Sequence, residues 1–357
     1  HAAPKHFYGF EFAEMEGVDE HMREVVEQIL YPLAKACSKA GGKKIVFRNK
    51  NIFYTGSIYV PFWRTVLTDP GLRSVFVPAL EETNSRTPEL SLAGRIGLWL
   101  TGTFDRWASR VVTDDACFDR MWEWSSQQVM SLHLRHMIGN AALGSDVFFN
   151  SVHQGPFTRD LENQLTLFYD LMEKGIVRVP DRADLLSVAG VALGMKTPPD
   201  DLYIRHGING HRYTFSQDDH SPMVFDRLDT YWGAAPLLPH DFSSYAMNIR
   251  RRTPNFLPEF PYGLIPILPD DTALPVAGIE RKVSTDGRYF FDGEGKRHEA
   301  PAYRAEVLQA LEAQAERLPV RVRGQVHWAA VRLDARHIRV TLIDPGYLDP
   351  AERAAEI

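Results

Sequence analysis

The chain has 357 residues, enough for one large domain or two ordinary ones. Hydrophobic residues make up 44% and charged residues 24%, a globular composition that excludes a disordered or fibrous protein. A net charge of −6, with both signs spread along the chain, argues against a nucleic-acid surface, and no apolar run reaches membrane-spanning length.

Two cysteines, Cys37 and Cys117, are too few for a disulfide framework and are read as buried thiols. The chain starts at His1. A leading histidine binds copper in some oxidative enzymes through its amine and ring, but those are compact β-sandwiches, and helices follow the opening here. His1 is therefore read as a processing or cleavage remnant. The last residues, "DPAERAAEI", stop in what reads as a new element, so the expectation is a piece of a longer protein.

The segment "FYGFEFAEMEG" opens the fold. Phe10 and Phe12 alternate with Gly9, Glu11 and Ala13, the period of a strand. A helix follows in "VDEHMREVVEQILYPLAKACSKAGG", with Met22, Val25, Val26, Ile29, Leu30 and Leu33 at helical spacing; Pro32 should kink it and Gly41-Gly42 should end it. Further strands are expected in "KKIVFRNKN", "SVFVPALEETN", "RWASRVVTDD" and "SDVFFNSV". Helices are expected in "LSLAGRIGLWLTG", "SSQQVMSLHLRHMIGNAALG" and "TRDLENQLTLFYDLMEKG", the last ending at Gly175. "DLLSVAGVAL", "FDRLDTYWG" and "YGLIPIL" read as later strands. After residue 272 the pattern changes: Asp-Gly turn signals at 286–287 and 292–293, one helix, and a hairpin with Asp334-Ala335-Arg336 near its turn.

Strand–helix alternation implies parallel strands with crossover helices. The first strand lacks the glycine-rich phosphate loop of a dinucleotide-binding fold. The expected architecture is α/β: a (β/α)8 TIM-like barrel over residues 6–272, close to the roughly 250 residues of such barrels, then a smaller β-rich unit with one helix over 273–357.

In such barrels the active site lies at the C-terminal ends of the strands. Phe10 and Phe12 should face the helices, Glu11 the barrel interior, and Glu14 and Glu16 the loop above. The second strand ends in Arg48, Asn49, Lys50 and Asn51, the third in Glu81, Glu82 and Asn84, the fourth in Asp114 and Asp115, the fifth in Asn150, His153 and Gln154. A ring of acid, amide and base beside aromatic side chains suits a sugar, which needs hydrogen bonds at many hydroxyls and an apolar ring face to stack on. Trp122, Trp124, Tyr231 and Trp232 are candidates for that face, while Trp63, Trp99 and Trp107 read as core.

Glycoside hydrolysis needs two carboxyl groups across the scissile bond, with pKa values driven apart by environment. The catalytic candidates are Glu82, Asp115 and Glu14; the substrate-binding candidates are Glu11, Arg48, Lys50, Asn84, His153, Tyr231, Trp232 and His206. Glu11 and Arg48 also have a purely structural reading, as an ion pair at the barrel bottom. His133 and His136 read as surface or packing residues, and no metal is expected. The histidine-rich stretch "YIRHGINGHRYTFSQDDHSP" lacks a recognised ligand spacing and is read as a sugar-contacting loop over the barrel mouth.

The opening "FYGFEFAEMEG" and the tail "HWAAVRLDARHIRVTLIDPGYLDPAER" together resemble multidomain glycoside hydrolases that cut polysaccharides from within, such as blood-group-cleaving endo-β-galactosidases and carrageenases. The resemblance spans the whole chain at the level of architecture. It implies a (β/α)8 catalytic domain, a β-rich companion, a poly- or oligosaccharide substrate, export from the cell (secreted or periplasmic) and no cofactor; charge and hydropathy already leave neither nucleic acid nor membrane as an expected partner. Two other classes stay open. One is a lyase or metal-assisted enzyme on an acidic polysaccharide, with His153 or the histidine loop as base and Arg48 or Lys50 neutralising the acid. The other is a sugar-binding barrel without catalysis.

Overall fold

The computed structural model describes residues 7–49, 53–80, 88–112, 132–151, 158–197, 262–287, 289–324, 326–343 and 355–356. Its architecture is mixed α/β. Strands β1 (Gly9–Ala13), β2 (Lys44–Asn49) and β3 (Phe76–Leu80) form a parallel sheet in chain order. Strands β4 (Ala108–Val112) and β5 (Val147–Ser151) pair in parallel beside it.

The helices between these strands start and stop where local chemistry directs. Asp19 caps α1 (Glu20–Val25), its Oδ1 accepting the Met22 N–H at 2.9 Å. Pro32 has no N–H, and its ring would strike the carbonyl one turn back. The helix accommodates it by widening into a π turn at Val26–Leu30, where the Tyr31 N–H reaches the Val26 carbonyl, and then continues as α2 (Tyr31–Lys39). Gly41 and Gly42, at φ 82° and 72°, end it. The later helices are α3 (Pro61–Leu67), α4 (Pro88–Leu100), α5 (Leu132–Ala142) and α6 (Thr158–Glu173), the last stopped by Gly175 at φ 68°.

Register and alternation assign the two faces of the parallel strands. Val46 lies opposite Glu11 on one side and Val77 on the other, and Ala108 lies opposite Val147. Val46, Val77, Ala79 and Ala108, with Val147 against them, form one small cluster on one face of these strands. Ile45, Phe47 and Phe76, from the opposite face, join the main core that the helices complete, with Trp63, Trp99 and Trp107 buried in it as the sequence implied. Phe12 packs onto that core, but Phe10, on the edge strand of the described sheet, is 40% exposed and meets Phe7 edge-on at 5.1 Å.

Helix α4 is apolar nearly all round, and every residue from 91 to 100 is buried. Two glycines let it approach backbone on two sides. A Cβ at Gly94 would lie 2.2 Å from the Tyr54 carbonyl oxygen, and one at Gly97 only 1.8 Å from that of Ile267. Arg95, the charged residue within that buried 91–100 stretch, donates Nη1 to the Ala108 carbonyl at 2.7 Å and lies over the Trp107 ring.

Ile267 belongs to a second sheet of β6 (Val191–Met195), β7 (Ile267–Pro269), β8 (Arg281–Thr285), β9 (Tyr289–Phe291) and β10 (Arg297–Glu299), in the order β10-β9-β8-β6-β7. Strand β6 pairs in parallel with both β7 and β8, while β8, β9 and β10 run antiparallel. This sheet therefore draws strands from both sides of residue 272. Helix α7 (Ala300–Ala315) follows, then β11 (Arg323–Gly324), the β12 (His327–Arg332) and β13 (Ile338–Ile343) hairpin, and β14 (Ala355–Glu356), which pairs with β11. The hairpin turns at the expected place: Asp334 Oδ1 accepts from the N–H groups of Arg336 and His337 at 2.8 and 3.0 Å. Among the described residues no helix is long and apolar enough to cross a membrane.

Candidate active site

Parallel strands β1 and β2 bring a cluster of charge together at their C-terminal ends. Arg48, the penultimate residue of β2, is 8% exposed. Its Nε lies 3.1 Å from Glu11 Oε1, and its Nη1 lies 3.4 Å from Glu14 Oε1. The two carboxylates remain open to solvent, with side chains 43% and 48% exposed. One guanidinium thus bridges a strand carboxylate and a loop carboxylate, using the fork geometry that lysine lacks.

Backbone conformation fixes the loop carboxylate. Glu14 has φ 59°, the left-handed region that costs a residue with a Cβ free energy unless its surroundings hold it there. Here the Glu14 N–H donates to the Arg48 carbonyl at 2.8 Å, and the next N–H, of Met15, donates to Asn49 Oδ1 at 2.9 Å. Glu16, expected in the loop above the strand, folds back under the surface and is only 8% exposed, so it is a buried acid. Further along, Trp63 Nε1 donates to the Gly17 carbonyl at 2.8 Å.

The Glu11–Arg48 pair is real, but it is neither deeply buried nor at the bottom of the sheet. By alternation Glu11 and Arg48 point to the face of Val46 and Val77, with Arg48 at the C-terminal end. Two residues of the surroundings were not among the catalytic or substrate-binding candidates. Asn49 is fully buried and anchors the loop backbone. Arg110 in β4 is 8% exposed and shares the face of Ala108 by alternation. An arginine in the middle of the otherwise small and apolar strand "ASRVV" was the readable signal, although β4 belongs to the separate β4–β5 pair.

Of the other candidates, Lys50, Glu82, Asn84, Asp115, His153, His206, Tyr231 and Trp232 lie outside the described residues, as do Trp122, Trp124 and the histidine-rich stretch. In sequence Glu82 follows the end of β3 at Leu80, and Asp115 follows the end of β4 at Val112. His136 packs as expected, its Nε2 3.0 Å from Asn140 Nδ2, which also donates to Ser109 on β4 at 2.7 Å. A groove of about 790 Å³ opens in the helical layer, lined by residues that include Asp19, Arg23, Tyr31 and Phe62; it contains no member of the Glu11–Glu14–Arg48 cluster.

Comparison with known proteins agrees with the resemblance drawn from the opening and tail segments. The lambda-carrageenase middle domain matches residues 3–285, and the lambda-carrageenase C-terminal domain matches residues 321–357. Lambda-carrageenases of Pseudoalteromonas carrageenovora and of another Pseudoalteromonas are each 32% identical to the chain over 97% of its length. The chain spans only 38% of those relatives. The catalytic module of a family 98 glycoside hydrolase from Streptococcus pneumoniae has a similar fold, with TM-scores of 0.52 in its native form and 0.51 in complex with an H-disaccharide blood group antigen. Those alignments cover 94% of this chain and 55% of that module at 11% identity. With its middle domain matched along most of the chain, the protein belongs to the lambda-carrageenase family.

Proposed function

We propose that the chain carries the catalytic part of an endo-acting glycosidase that cleaves a polysaccharide of the carrageenan class. The observation that carries this reading is the Glu11–Arg48–Glu14 cluster at the C-terminal ends of adjacent parallel strands. Strands β1, β2 and β3 are neighbours in chain order, and so are β4 and β5. Consecutive parallel neighbours with right-handed crossovers put their helices on one face and curl the sheet toward closure, so we assign residues 6–272 to a (β/α)8 catalytic barrel. Residues 273–357 are the β-rich companion, stitched to it where β8 pairs with β6. A polymer of this kind is cut outside the cell, which makes export part of the same reading.

Hydrolysis then runs on a pair of carboxyl groups. One protonates the leaving glycosidic oxygen; the other activates water or attacks the anomeric carbon. Glu82 is the proposed acid, since it follows the apolar run of β3, and burial raises a carboxyl pKa toward the working range of a general acid. Asp115 or Glu14 is its partner, and Arg48 orients Glu14. Glu11, Lys50, Asn84, His153, His206, Tyr231 and Trp232 contact substrate. The test is release of reducing ends from λ-carrageenan. Glu82→Gln and Asp115→Asn should each lower turnover about 10²–10⁴-fold while binding survives. Near-full activity in Glu82→Gln would reject it as the acid.

A further inference from the structure

We infer that Asn49 is a positioning residue: its buried side-chain amide holds the β1–α1 loop in the conformation that presents Glu14 beside Arg48. The inference rests on the reading above, in which Glu14 belongs to the cleft, and it assigns a role to a residue that touches no substrate.

Asn49 is the last residue of β2 and is fully buried. Its neighbour Arg48 points to the face of Val46 and Val77, so alternation turns Asn49 to the opposite face. Adjacent residues of one strand thereby grip the loop from two directions. Arg48 offers its guanidinium to the Glu14 carboxylate and its carbonyl to the Glu14 N–H. Asn49 takes the following N–H, that of Met15, on Oδ1 at 2.9 Å. Glu14 between them sits at φ 59°, a conformation that persists only where its surroundings over-determine it. Without the Met15 anchor the peptide after Glu14 is free to rotate, and Glu14 has a route back to the ordinary region.

A second observation separates this role from packing. Among the described residues, the buried Asn49 Nδ2 has no hydrogen-bond partner. Burying an unsatisfied donor costs free energy, and a leucine of similar volume would fill the space without that cost. The amide is therefore explained by its acceptor half, and the Met15 N–H is what that acceptor holds.

The test measures the loop and the chemistry separately. Hydrogen exchange of the Met15 amide is followed in the wild-type chain, Asn49→Leu, Asn49→Ser and Asn49→Asp, alongside kcat and KM on λ-carrageenan and the activity of Glu14→Gln. Asn49→Leu and Asn49→Ser should expose the Met15 amide and lower kcat about 10²-fold, the scale for a catalytic group displaced by about 1 Å, with KM little changed. Asn49→Asp, which keeps the acceptor, should retain the protection and most of the kcat. Combining Asn49→Ser with Glu14→Gln should cost no more than Glu14→Gln alone. Unchanged Met15 protection in Asn49→Ser overturns the proposal outright. Lost protection with full kcat also overturns it; if Glu14→Gln is then fully active as well, the fault lies with the reading of Glu14. If Glu14→Gln is inactive, only the role of Asn49 has failed. Should Asn49→Leu not fold, Asn49→Ser and Asn49→Asp decide alone.

Discussion

The guanidinium of Arg48 lies 3.1 Å from Glu11 and is nearly buried, while the Glu11 side chain keeps 43% of its surface in water. A pair so exposed on its acidic side contributes little to folding, typically under about 1 kcal/mol. Its value lies in geometry: the same guanidinium also reaches Glu14 at 3.4 Å, joining a rigid strand residue to a loop residue.

That geometry predicts the outcome of Arg48→Lys. Lysine keeps the charge but offers one ammonium in place of a planar fork. Stability in urea should shift by less than about 1 kcal/mol, whereas kcat should fall about 10–10²-fold as Glu14 loses its orientation. A variant with wild-type turnover would show that the bridge is not used in catalysis.

The close approach of α4 to β7 makes a second prediction. At Gly97 any Cβ would collide with the Ile267 carbonyl, a backbone atom in a sheet that cannot swing aside as a side-chain tip can. Gly97→Ala should destabilise by about 1–3 kcal/mol or more, even though alanine is the better helix former. Gly293→Ala is the control, because nothing lies within 4 Å of the added methyl; it should change stability by no more than about 0.5 kcal/mol. Equal urea midpoints for the two variants would contradict the packing described for α4.

Asp69 supplies a prediction in pH. Hydrogen bonding from Lys35, at 2.6 Å, is the largest influence holding its carboxyl below the usual range; the Gly71 N–H and the Tyr31 hydroxyl act in the same direction. The lysine is raised in turn, chiefly by its bond to Asp69. A carboxyl lowered by folding stabilises above its unfolded pKa of about 3.9 and loses that contribution as pH falls through the lower folded value. A raised lysine stabilises below about 10.4 and loses its contribution as pH rises through the folded value. The difference in thermal midpoint between wild type and Asp69→Asn should therefore be greatest between roughly pH 4 and 10 and should shrink on either side. A constant difference down to pH 2 would exclude the pair as its source.

Most of the described elements, from the opening strand to the β12–β13 hairpin, were legible in the chain because they rest on local signals: periodicity, Gly41-Gly42, Gly175 and the Asp334 turn; helix α3 and the β11–β14 pair were not among the expected elements. The placement of Glu11, Glu14 and Arg48 at strand ends was legible too, since alternation and strand length suffice to find an exit. Tertiary structure alone decided what those residues do to each other. That Arg48 bridges Glu11 and Glu14, that Glu14 stands at a left-handed φ, and that Glu16 is buried all depend on the register of β1 against β2, which joins residues more than thirty apart in the chain. Asn49 looked like one more polar residue at a strand end; only the fold shows it buried against the Met15 backbone. The same holds for α4: the segment reads as a helix, but only the fold shows that Gly94 and Gly97 admit the backbone of Tyr54 and β7 against it. The physical reason is one of range. Hydrogen-bonding propensity and hydrophobic period act over a few residues, whereas register and close packing are settled only when distant segments share a surface.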